Sequence, residues 1–172
     1  MISVLIIEHQ PLATALLGCC RHVYRGLPVQ AAALDIIPDE DPEQALCEAR
    51  ALASRINDGS GQVVLTDLYG ATPSRIAMQM AVPGRVSVLY GVNLPILLKV
   101  FNYRARLPLV ELESLVLRDA ADGIGRVDTG YPGRRLDRAH QPDGASDPEA
   151  PAASSDVVRN GCSSLSDTPP SN

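Results

Sequence analysis

Gln62-Val63-Val64-Leu65-Thr66-Asp67-Leu68-Tyr69-Gly70-Ala71-Thr72-Pro73 is the stretch on which the fold turns. Val63-Val64-Leu65 is a continuous apolar run without polar alternation, as in a strand covered on both faces. A short Gly-containing turn follows, and then Thr72 as an N-cap and Pro73 as the first residue of a helix over 73–82. A buried strand feeding directly into a helix is the repeating unit of a parallel α/β sheet.

Outward from there the pattern recurs. Residues 2–8 form an Ile- and Val-rich run read as a strand. Pro11 then opens an amphipathic helix whose apolar stripe is Leu12, Leu16, Cys19 and Val23. A second strand fits 28–37. A helix near 41–57 carries Leu46, Ala49, Leu52, Ala53 and Ile56 on one side, with acids clustered at its start. The fourth strand, 86–90, leads into Gly91-Val92-Asn93-Leu94-Pro95, a turn with an Asn cap and an early Pro. The helix that follows, about 94–104, is apolar almost all round, which predicts either a sandwiched core helix or a subunit interface. A last helix starts near Pro108 and fades by Gly123-Ile124-Gly125. The expected fold is α/β, a mainly parallel open sheet of about four strands with helices on both faces.

The chain has 172 residues, 45% hydrophobic and 20% charged, with a formal net charge of -5 and 3% aromatics. Few rings and an acidic balance argue against a nucleic-acid platform, and the single lysine, Lys99, leaves no lysine-rich patch. No apolar run approaches the roughly 20 residues of a membrane span. The first residues enter a strand without a basic leader, so the expected location is the cytoplasm. Charge and composition break near residue 128. Residues 1–128 carry a net -3, whereas 129–172 carry a net -2 and hold six of the fourteen prolines. That Pro/Ser/Ala-rich stretch has too few apolar residues to offset ordering costs of about 1–2 kcal/mol per residue, so it is expected to be a disordered tail. Cys19, Cys20, Cys47 and Cys162 form no C-x-x-C pair and have no accompanying histidine cluster. They read as small buried thiols, and neither a metal nor a cofactor is expected.

In an open parallel sheet, ligands bind beyond the carboxyl ends of the strands, where strand order reverses. Three such ends carry chemistry here: Glu8-His9-Gln10-Pro11, Asp67 and Gly91-Val92-Asn93. Each is soon followed by a helix start, and helix starts offer free N–H groups and a partial positive charge that favour phosphate. His9 lies at that convergence. Asp67, on a nearby strand end, could accept a hydrogen bond from one ring nitrogen and present the other for nucleophilic attack. Gly70, Ala71, Thr72 and Asn93 would then cradle a phosphoryl group. His22, on the polar side of the first helix, and His140, in the tail, rank below His9.

The stretches Val4-Leu5-Ile6-Ile7-Glu8-His9, Leu65-Thr66-Asp67-Leu68-Tyr69-Gly70-Ala71-Thr72-Pro73 and Gly91-Val92-Asn93-Leu94-Pro95 occur together in an order and spacing that resembles the IIA component of the mannose-class sugar phosphotransferase system. The resemblance covers roughly residues 1–127. It implies a phosphohistidine carrier that receives phosphate from the histidine-containing phosphocarrier protein and passes it to a IIB protein, and so contacts the membrane only indirectly through a permease complex. His9 matches the phosphorylated residue and Asp67 its carboxylate partner. The resemblance also implies a homodimer. Where the family has Thr-His-Gly, this chain has Glu8-His9-Gln10, which brings a negative charge and a longer side chain to the site. Ala/Pro-rich sequence at 145–153 is not followed by a IIB domain, so a regulatory target is an alternative destination for the phosphate.

Other readings fit less well. A receiver-like domain would use Asp67 as its phosphate acceptor, but it needs two acids after the first strand and a lysine ending a fifth. A serine hydrolase needs a G-x-S-x-G elbow, and Gly70-Ala71-Thr72-Pro73-Ser74 lacks it. A nucleotide-binding protein needs a Gly-rich loop where Gln10-Pro11-Leu12 stands.

Overall fold

A computed structural model describes residues 1–26 and 28–125. The expected tail and its 1–128/129–172 boundary lie outside the described residues, as do His140 and Cys162. The described chain runs β1 (Ser3–His9), α1 (Leu12–Tyr24), β2 (Ala31–Ile36), α2 (Pro42–Ile56), β3 (Gln62–Thr66), α3 (Thr72–Met78), β4 (Val86–Tyr90), α4 (Leu94–Tyr103) and α5 (Leu109–Arg118), followed by a 3₁₀ turn over Ala120–Gly123. The strands form one parallel sheet in the order β2-β1-β3-β4. The expected α/β sheet of four strands is the one found.

Alternation along the strands divides the core in two. Val4 and Ile6 of β1, with Val63 and Leu65 of β3, pack under α1, α4 and α5. Leu5 and Ile7, with Leu34, Ile36 and Val64, pack under α2 and α3. Val4, Leu5, Ile6 and Ile7, which serve the two layers, have no exposed surface. Each such side chain contributes roughly 1.5–3 kcal/mol by leaving water. Ala45, Ala49 and Ala53 line the buried face of α2, and their small size lets that helix lie close on the sheet.

Several boundaries differ from the sequence reading, each for a local reason. The second strand begins at Ala31 because Gln30 takes a left-handed conformation, φ 53°, that ends any extension from Pro28. α1 begins at Leu12, one residue beyond Pro11, and buries Ala13 and Cys20 with Leu16 and Leu17 packed beside them. The stripe of larger residues is therefore offset: Leu12 and Val23 are exposed, and so is Cys19. Of the cysteines expected to be buried, Cys20 is, whereas Cys19 and Cys47 face solvent. α3 ends at Met78 rather than 82, where Val82 turns back to bridge Val86. The apolar α4 packs with α1 and α5, which accounts for burial of Leu97, Val100 and Phe101 within the chain.

At the end of the sheet opposite the strand carboxyl termini, Arg104 is buried and stacks over Phe101 at 4.7 Å. Its guanidinium donates to the carbonyls of Ile2, Val29 and Gln30. Gln62 is buried nearby and donates to Ser3 Oγ and the Ala53 carbonyl.

Candidate active site

Strand order reverses at β1, which lies between β2 and β3. The chain leaves β1 for α1 on one face of the sheet and leaves β3 for α3 on the other, so a crevice opens beyond these two strand ends. Ile7 is in register with Thr66, which places His9 at the lip of β1 beside Asp67, the first residue past β3.

The two residues are bound twice. His9 Nδ1 lies 2.6 Å from Asp67 Oδ2, and the His9 backbone N–H donates to the same oxygen at 3.1 Å. Asp67 Oδ1 accepts from its neighbour's N–H, that of Leu68, at 2.6 Å. Burial pushes the Asp67 carboxyl up, but the hydrogen bonds from the His9 ring, Leu68 and the His9 backbone together outweigh it and hold the carboxyl below its ordinary value. Asp67 is thus ionised at neutral pH and can only accept, so Nδ1 is the donor of this contact, and in the neutral ring the lone pair lies on Nε2. The Asp67 backbone is anchored as well: its carbonyl accepts from Gly91 N–H at 2.7 Å, and the Thr66 carbonyl accepts from Val92 N–H. The third motif, Gly91-Val92-Asn93, therefore helps hold the carboxylate. Gly91 does so with φ 76°, a backbone state that glycine adopts at little cost.

Half of the His9 side chain is exposed, on a cavity of about 400 Å³ lined by His9, Gln10, Ile36, Ile37, Pro38, Asp39, Glu40, Pro42 and Thr72. Thr72 is thus brought to the cavity that His9 faces. It is the first residue of α3 rather than its cap; Ala71 takes the cap position, without a side-chain hydrogen bond. Gly70 and Ala71 lie on the loop between Asp67 and Thr72, and the Ala71 N–H already donates to the Leu68 carbonyl. Asn93 lies at the start of α4, where its Oδ1 accepts from Ile96 N–H at 2.9 Å. It caps that helix as expected and does not line the cavity. His22 is exposed on α1, away from these residues.

Two features of the site were not foreseen. Glu8 is entirely buried, on the strand residue preceding His9. Tyr69 and Tyr90 pack together with ring centroids 5.0 Å apart and ring planes tilted by 45° beside the Asp67 loop, each 63% exposed. Among the described residues no group of three or more His, Cys, Asp or Glu side chains could hold a metal ion, and no helix is long and apolar enough to cross a membrane.

Comparison with known proteins bears on the fold and the family. The chain superimposes on phosphotransferase system component EIIA from Streptococcus agalactiae with a TM-score of 0.65 and 21% identity, covering 73% of this chain and 97% of that one. The mannose/sorbose-specific IIA subunit from Enterococcus faecalis gives 0.65 and 18%, over 77% and 98%. A sigma-54 interaction domain protein from Enterococcus faecalis gives 0.56 and 11%, over 71% and 92%. No curated protein matches the chain by sequence. The family model described as PTS system fructose IIA component matches residues 3–116, and the chain belongs to that mannose-class IIA family of the phosphotransferase system.

Proposed function

We propose that the protein is a phosphotransferase that works through a phosphohistidine at His9. The observation that carries this reading is the 2.6 Å contact between His9 Nδ1 and Asp67, with Nε2 left as the unoccupied nitrogen of a half-exposed ring. In the proposed step Nε2 attacks the phosphorus of a donor phosphohistidine, the donor's P–N bond breaks, and a P–N bond to His9 forms. Asp67 orients the ring and balances the positive charge that develops on it. Thr72 lines the cavity the phosphoryl oxygens would enter, Gly70 and Ala71 would add the backbone of the preceding loop, and Asn93, which caps α4, would complete the cradle. Family membership supports the histidine-containing phosphocarrier protein as donor and a IIB protein as acceptor, within a homodimeric protein.

A regulatory destination is the second reading. The fold is shared by IIA subunits and by a sigma-54 interaction domain protein, so it does not by itself choose between sugar transport and signalling. Both readings require the same phosphorylation.

The test is incubation of the protein with the general phosphotransfer chain and phosphoenolpyruvate, followed by intact-mass measurement. Wild type gains one acid-labile phosphate and His9→Ala gains none. Failure of wild type to be labelled by a demonstrably phosphorylated donor, or equal labelling of His9→Ala, overturns the reading.

A further inference from the structure

Glu8 directly precedes His9, and its side chain has no exposed surface. Neither carboxyl oxygen has a hydrogen-bond partner. Alternation along β1 turns Glu8 to the face of Val4 and Ile6, under the first turns of α1. Two carboxylates bear on it from neighbouring elements. Asp35 is its register partner on β2, and Asp67 approaches from beyond β3.

Among the described residues no side-chain cation and no hydrogen-bond donor reaches the Glu8 carboxyl. The Thr14 N–H at the start of α1 is given to Asp35. The Cys20 thiol of α1, pushed up to about 11 by burial and then by Cys19, is neutral. Lys99 of α4 is bound to Asp119, and Asp67 already takes the hydrogen bonds of His9. An ionised Glu8 would be an unpaired buried charge facing two like charges, which the surroundings strongly disfavour. Burial first, then Asp67 and Asp35, push the carboxyl up from 4.5 to about 8.

We propose that Glu8 is a positioning residue for phosphoryl acceptance: it stands beside His9 as a neutral acid, and loss of its proton closes the site to the phosphoryl group. The proposal rests on the reading of His9 as the phosphoryl acceptor. A phosphoryl group brings roughly -1.5 to -2 charges to the residue next to Glu8. Coupling of this kind is reciprocal. If phosphate on His9 makes Glu8 harder to ionise, an ionised Glu8 disfavours phosphate on His9 by the same factor at equilibrium, and its charge, facing the incoming phosphoryl group, slows the transfer as well. Glu8 exchanges no proton with the reacting atoms. The donor's P–N bond breaks, the bond to His9 Nε2 forms, the Nδ1 proton stays against Asp67, and the leaving nitrogen takes its proton from solvent.

The experiment uses the full chain and phosphoramidate, a small P–N donor that requires no partner protein. Initial phosphorylation rates of wild type and Glu8→Gln are measured by intact mass from about pH 6 to about pH 9.5, bracketing the Glu8 midpoint. Effects on the donor and on the His9 ring cancel in the ratio of the two rates. That ratio is expected to be level below about pH 7 and to fall about tenfold by one pH unit above the midpoint. A ratio flat across the whole range, with both proteins labelled, overturns the role of Glu8 and leaves His9 standing. No labelling of either protein, or equal labelling of His9→Ala, removes the His9 reading and this proposal with it. Should Glu8→Gln fail to fold, carbon NMR of wild type labelled at glutamate carboxyls decides the matter. One carboxyl titrating well above the others, and moving higher still on phosphorylation, supports the proposal. A set titrating entirely in the ordinary glutamate range overturns it.

Discussion

His9 turns one nitrogen toward Asp67 and the ring borders an open cavity, and the proposed division of labour follows from that orientation. Asp67→Asn keeps the shape of the side chain but loses the charge that favours an Nδ1 proton. It is expected to leave the protein folded, by circular dichroism, while slowing phosphoryl acceptance at least about tenfold in the intact-mass assay. Glu8 yields a separate prediction for stability. Its folded carboxyl is raised to about 8 from 4.5, so its contribution is fully present below pH 4.5 and is lost as pH rises through about 8. Wild type should therefore lose stability relative to Glu8→Gln across that window, by at most about 1.4 kcal/mol per pH unit, in urea titrations at a series of pH values. His9 and Asp67 were legible in the sequence because the chemistry of a strand end is local. Glu8 was legible as a charge beside the site. Its burial, and the two carboxylates that face it, depend on register with β2 and on the cover of α1, which no single stretch of sequence contains.

The elements were legible where burial leaves a continuous trace, and their edges were misread where small residues or backbone sign decide. β1 and β3 are runs of Ile, Val and Leu sealed on both faces, and such runs have few alternative readings. α1 lies where the sequence places it, but of the stripe Leu12, Leu16, Cys19 and Val23 only Leu16 packs on the core. The close approach of helix to sheet selects Ala13 and Cys20 instead, because a small side chain fits where a larger one would hold the helix off. The Asn93 cap was readable from Asn followed by Leu-Pro, since that pattern serves the first turn of its own helix. Asn93→Ala should lower stability by about 1 kcal/mol, measured by urea denaturation. Arg104 was not singled out, because its partners are carbonyls 74 to 102 positions away in the chain. Arg104→Met retains the bulk over Phe101 but removes the guanidinium donors from three carbonyls, of which that of Gln30 keeps the Val4 N–H. It should cost roughly 1–3 kcal/mol in the same measurement, with phosphoryl acceptance at the far end of the sheet unchanged.

At the scale of the molecule, the parallel sheet sends every strand's carboxyl end to one side. The proposed reacting residues, His9 and Asp67, collect there, while Arg104 and Gln62 stitch the other side together. Deletion of residues 129–172 should leave phosphoryl acceptance and the melting temperature of the remainder unchanged within experimental error. Light scattering of the full chain tests the proposed homodimer, which requires twice the 18.3 kDa mass of one chain. The exposed tyrosine pair beside the Asp67 loop adds an optical consequence. The sequence contains no tryptophan, so tyrosine alone provides the near-ultraviolet emission. Tyr69 and Tyr90 pack together beside the Asp67 loop, where the proposed function would bring a phosphoryl donor or acceptor. A tryptophan-free partner arriving there would change their emission without any added label, so the native protein carries its own reporter of encounter.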